Sequence, residues 1–72
     1  MKNEFNVRVG EKVREARLNA SMSQSQLAEK VGFTKQWVSA KELGIWQMSL
    51  RDTILVSEAC NVPISFFDVG VK

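Results

Sequence analysis

The stretch Ser23–Gly44, SQSQLAEKVGFTKQWVSAKELG, decides how this chain folds. Ser23 followed three residues later by Gln26 fits a capping box, and Leu27, Ala28 and Val31 then recur at helical spacing as the inward stripe of a short helix. Gly32 supplies the left-handed backbone that ends it. Thr34 can cap the next helix, which runs to about Leu43 with Val38 as its inward residue and Gly44 as its stop. The two helices meet through Val31-Gly32-Phe33 with Thr34 as cap, and so short a turn holds them at a steep angle.

Outward from this pair, the rest of the chain also reads as helix. Val9, Val13 and Ala16, extended by Phe5, alternate with Arg8, Glu11, Lys12, Arg14 and Glu15 at spacings of three and four, the period of an amphipathic first helix over about Asn6–Asn19. Ser49 with Asp52 opens a fourth helix through about Cys60, and Asn61 can take the left-handed stop. Pro63 suits the first turn of a fifth, carrying Ile64, Phe66 and Phe67. The expected fold is therefore all-α, a compact bundle of five short helices with helices 2 and 3 forming a helix-turn-helix. One domain is expected over residues 1–72, with its core over about 6–67 and loose ends.

Composition sets outer bounds. At 72 residues the apolar core only just outweighs chain entropy, so a dimer is reasonable on stability grounds alone. The single Cys60 cannot form an internal disulfide, and without histidine no zinc set is expected, which suits a reduced, metal-free, cytoplasmic protein. No run approaches the roughly 20 apolar residues of a membrane span, and the start lacks a signal-peptide core, so no membrane partner is expected. A net charge of +2 is too small to argue for nucleic acid by itself. Neither a cofactor nor a small-molecule ligand is implied, and no nucleophile, acid–base pair or pocket points to an enzyme.

Val9-Gly10, Val13-Arg14 and Arg17, then Ser23-Gln24, Leu27-Ala28 and Gly32, then Val38-Ser39, Glu42 and Gly44, then Ser49-Leu50 and Val62 occur in an order and spacing that resembles the Xre, or Cro and cI, family. The resemblance covers about Val9–Phe67 and implies a lambda-repressor-like fold that binds double-stranded DNA. It implies a transcriptional regulator, in the first instance a repressor, acting as a homodimer on an inverted repeat with half-sites about 34 Å apart. Gln24 would lie against the DNA backbone. Helix 3 would enter the major groove with Lys35, Gln36, Ala40 and Trp37 outward, where lysine can donate to guanine O6 and N7 and glutamine can pair with adenine N6 and N7. Thr34 caps that helix and can touch phosphate. Arg17 and Glu42 would form the ion pair that ties helix 3 to the scaffold.

Departures from the family pattern leave alternatives open. Lys41 stands where relatives place an inward apolar residue, and Trp37 stands where they are often polar. Either Trp37 takes over part of that packing or Lys41 reaches outward towards phosphate. The loop Ile45-Trp46-Gln47-Met48 is apolar where family loops are basic, leaving Gln47 as its side-chain DNA contact and implying a shallow salt dependence. Thr53 replaces a core leucine, and an exposed Leu55 beside Phe66 and Phe67 would make an apolar patch suited to a partner; the segment Ile64–Val71 is the candidate dimer surface, unless its aromatics close the core instead. The competing function is a protein-interaction module of antitoxin or antirepressor type, gripping its partner with the 45–48 loop and the C-terminal aromatics.

Overall fold

A computed structural model describes residues 3–70. Four α-helices follow one another: α1 Glu4–Asn19, α2 Gln24–Val31, α3 Lys35–Leu43 and α4 Leu50–Cys60. Among the described residues no fifth α-helix forms. Ile64–Phe67 is one turn of 3₁₀ helix, preceded by Pro63 as an extended residue with no side-chain cap. Four residues are too few to close a stable run of α-helical hydrogen bonds, and the tighter i to i+3 turn takes their place.

Local chemistry sets most helix ends. The Ser23 hydroxyl accepts the Gln26 N–H at 3.0 Å while the Gln26 side chain accepts the Ser23 N–H at 2.7 Å. Ser49 and Asp52 make the same reciprocal pair at the start of α4. Helix α1 begins two residues before its expected start, because the Asn3 side chain accepts the Asn6 N–H at 2.8 Å and caps it there. Gly32, Gly44 and Asn61 close α2, α3 and α4 in the left-handed region. At Gly44 (φ +78°) a side chain would be strained, and its Cβ would meet the Val7 backbone at 2.7 Å.

The inward stripes join in one core of Val13, Ala16, Leu27, Ala28, Val38, Val56, Cys60 and Phe67. Burial raises the pKa of the Cys60 thiol, so it packs as a small apolar side chain. Gly10 lets α1 approach α3 closely, since a Cβ there would lie 2.5 Å from the Glu42 carbonyl oxygen. The far end is tied back to α1 by Arg8, which donates to the Val69 carbonyl at 2.7 Å. None of the described helices is long and apolar enough to cross a membrane.

Candidate nucleic-acid interface

Helix α3 has two chemically different ends. At its start, the Thr34 hydroxyl accepts the Trp37 N–H at 3.1 Å, and Thr34, Lys35 and Gln36 are all exposed. Among the described residues, Lys35 is in no ion pair. Ala40, one turn after Gln36, is half-buried. The arrangement presents a donor, an amide and a hydroxyl from one helical turn, the groups that can meet base edges and phosphate.

At the other end of α3 the charges point inward. Arg17 grips Glu42 with two parallel bonds, Nε to Oε2 at 2.6 Å and Nη2 to Oε1 at 3.1 Å. Both residues are buried, at 7% exposure each. The hydrogen bond to Glu42 raises the Arg17 pKa against the opposing effect of burial. Two further bonds extend the pair: Arg17 Nη1 donates to the Met22 carbonyl at 3.0 Å, and Gln24 Nε2 donates to Glu42 Oε1 at 3.1 Å. One carboxylate thus fastens α3 to both α1 and the start of α2. Gln24 is half-buried with its amide nitrogen committed to Glu42; the first-turn backbone N–H groups of α2 are the donors that helix formation leaves over.

Lys41 does not reach outward. Its side chain is buried and donates to Asp52 Oδ2 at 2.9 Å and to the Gln47 backbone carbonyl, with Nζ 5.2 Å above the Trp37 ring. The position lies on the inner side of α3, three residues after Val38, and the first turn of α4 supplies a carboxylate there. Burial raises the Asp52 pKa, but the bonds from Lys41 and the Ser49 N–H together hold it below its ordinary value. Trp37 is half-buried, packs against the core and stacks on Phe33, the rings 4.5 Å apart and 8° from parallel. Gln47 keeps an exposed side chain while its carbonyl is held by Lys41.

The C-terminal aromatics divide between core and rim. Phe67 is a core residue at 5% exposure, so it cannot serve a dimer surface. Phe66 is half-buried, edge-on to Phe67 at 5.5 Å, with Lys12 Nζ 5.1 Å from its ring centre. Leu55 is also half-buried, because the helix turns Leu50 and Ile54 outward instead. Ile64 is exposed, and Val71 lies outside the described residues. Asp52 as a charge partner and Phe33 as a stacking partner emerge only with the fold. The i, i+4 spacing of Phe33 and Trp37 was the available signal for the second.

A model of the helix-turn-helix domain matches residues 8–65. This chain belongs to the helix-turn-helix domains of the Xre type. The family is one of DNA-binding transcriptional regulators. An uncharacterized HTH-type transcriptional regulator from Sinorhizobium medicae is 34% identical over 65 residues, 90% of this chain and 47% of the relative. A regulator from Rhizobium meliloti matches to the same extent. The chain thus spans about half the length of the curated relatives it matches. Among solved structures, the restriction-modification controller protein C.AhdI from Aeromonas hydrophila is 26% identical, with a TM-score of 0.80 over 85% of this chain and 88% of its own. The clp gene regulator ClgR from C. glutamicum superposes with a TM-score of 0.85 over 92% of this chain and 86% of its own, and at 18% identity it speaks to the fold alone.

Proposed function

We propose that this helix-turn-helix domain is the operator-reading part of a transcriptional repressor, inserting α3 into the major groove and binding as a dimer to an inverted repeat. The observation that carries the reading is the exposed turn Thr34-Lys35-Gln36 at the tip of a helix whose opposite end is held by buried ion pairs. Rigid placement matters because hydrogen bonds to base edges discriminate only when donor and acceptor are held in register. Lys35 and Gln36 are assigned to bases and Thr34 to phosphate. The first-turn amides of α2, beside Gln24, suit a second phosphate. Ala40 offers a methyl contact to thymine, Trp37 an apolar edge, and Gln47 a side-chain contact from the loop.

Because Lys41 is spent on Asp52 and the 45–48 loop carries no basic side chain, few phosphates are neutralised. Affinity should therefore fall with salt by a modest slope, about 0.9 logarithmic units per phosphate contacted. Selection of bound duplexes from a random double-stranded pool, followed by salt titration of the best sequence, tests the reading. Enrichment of an inverted repeat with half-sites about one helical turn apart is expected. No enrichment would move the second reading forward, a protein-binding module, which the exposed Leu43, Ile45 and Trp46 favour.

A further inference from the structure

We infer that the hollow between the start of α1, the 45–49 loop, the first turn of α4 and the final 3₁₀ turn binds a small cationic amphiphile, an amine joined to one aromatic ring. The hollow has a volume of about 450 Å³, within the usual range of small-molecule sites. Phe5 of α1, Met48 of the loop, and Ile64 and Phe67 of the last turn give it apolar walls. Among the residues lining it, Asp68 alone is charged. The lining comes from three separate parts of the chain, which is why the sequence by itself implied no ligand.

The inward stripe of α4 explains why the space is open. Val56, Ser57 and Cys60 are the buried positions of that helix, and Thr53 lies three residues before Val56 on the same stripe. Thr53 is half-buried and lines the hollow, with its hydroxyl donating to the Ser49 carbonyl at 2.9 Å. Threonine is smaller than leucine, so it leaves unfilled the space that a larger apolar residue would occupy. At the mouth, Phe5 and Ile64 are each 46% exposed, apolar surface that a ring lying between them would remove from water.

Asp68 selects the charge of the occupant. Its Oδ1 accepts the Gly70 N–H at 2.9 Å, which orients the carboxylate and leaves Oδ2 without a bond among the described residues. Two cations, Arg8 and Lys12, border a neighbouring hollow together with Asp68, but Arg8 donates to the Val69 carbonyl and Lys12 pairs with Glu15. An ammonium group can therefore take the open oxygen while its ring enters the apolar part. A carboxylate or phosphate there would face like charge. The site is also distinct from the exposed turn Thr34–Gln36, none of whose residues line it.

Titration of the whole chain with phenylbutylamine, followed by backbone amide NMR, tests this, with phenylbutanol and phenylbutanoate as the neutral and anionic counterparts. The amine should shift the amides of Phe5, Met48 and Ile64 with a dissociation constant below about 1 mM. The alcohol should bind about fivefold more weakly and the anion more weakly again, because only the amine gains from Asp68. Asp68→Asn should bring amine and alcohol to equal affinity. Thr53→Leu should abolish binding of all three while keeping or raising the melting temperature, since it fills apolar space. No shifts up to about 10 mM amine would overturn the inference, as would the same shifts in Thr53→Leu or an anion bound as tightly as the amine. The titration contains no DNA, so its outcome is independent of the operator selection that tests the DNA-binding proposal.

Discussion

The first and last turns of α3 carry similar polar chemistry and lead opposite lives. Lys35 and Gln36 are exposed and free to choose a partner, whereas Lys41 and Glu42, one and a half turns further on, are buried and bonded to neighbouring elements. A basic residue on this helix is therefore not in itself available to DNA. On the proposed function, the open end reads because the closed end fixes where it stands. Glu42 ties α3 to α1 and α2, and Lys41 ties it to the loop and α4, so all three other helices hold it from one side.

That division can be broken in graded ways. Glu42→Gln should have the largest effect, because it strips the charge from a buried bidentate pair and leaves Arg17 uncompensated; about 3–5 kcal/mol is expected, read by chemical denaturation. Wild-type stability with equal loss of affinity for every DNA sequence would count against the anchoring role. Asp52→Ala should cost less, about 2–3 kcal/mol, since it leaves Lys41 buried with only the Gln47 carbonyl but also opens a rim that is partly wet. The same carboxylate predicts a pH effect. Its folded pKa lies below the ordinary 3.8, so its contribution is present above that value and is lost as pH falls through the lower folded value. In acid titrations below about pH 4, Asp52→Asn should show a shallower fall in stability than wild type. An unchanged profile would remove Asp52 from the account.

How much of this was legible follows from how local each signal is. Ser23 with Gln26, Ser49 with Asp52, and the stops at Gly32, Gly44 and Asn61 act within one turn, so their chemistry can be read along the chain. The Asn3 cap is equally local, but it lies ahead of the apolar period and went unread. The last segment carries helical residues yet is too short to sustain an α-helix. Arg17 and Glu42 are 25 positions apart, and only the family resemblance brings them together before the fold is known. Lys41 and Asp52 had no such guide, because the pairing depends on how the 45–49 loop returns α4 to α3. Phe66 and Phe67 are chemically identical neighbours, and only the packing of the final turn decides that Phe67 goes inside. Leu55 and Ile54 differ in the same way, by the rotation of α4 about its own axis.

The smallest effect on stability belongs to the open end, and it is also where the account is most exposed. Sequence preference and melting temperature should be measured together for wild type, Lys35→Ala, Gln36→Ala and Glu42→Gln, using duplex selection and thermal unfolding. Lys35→Ala and Gln36→Ala should each lose about 1–3 kcal/mol of discrimination at their own base pairs and keep the wild-type melting temperature. Glu42→Gln should show the reverse, a lower melting temperature with the same preferred sequence in whatever fraction stays folded. If the alanine variants keep the wild-type preference, α3 does not read bases through these residues, and its open end has some other partner.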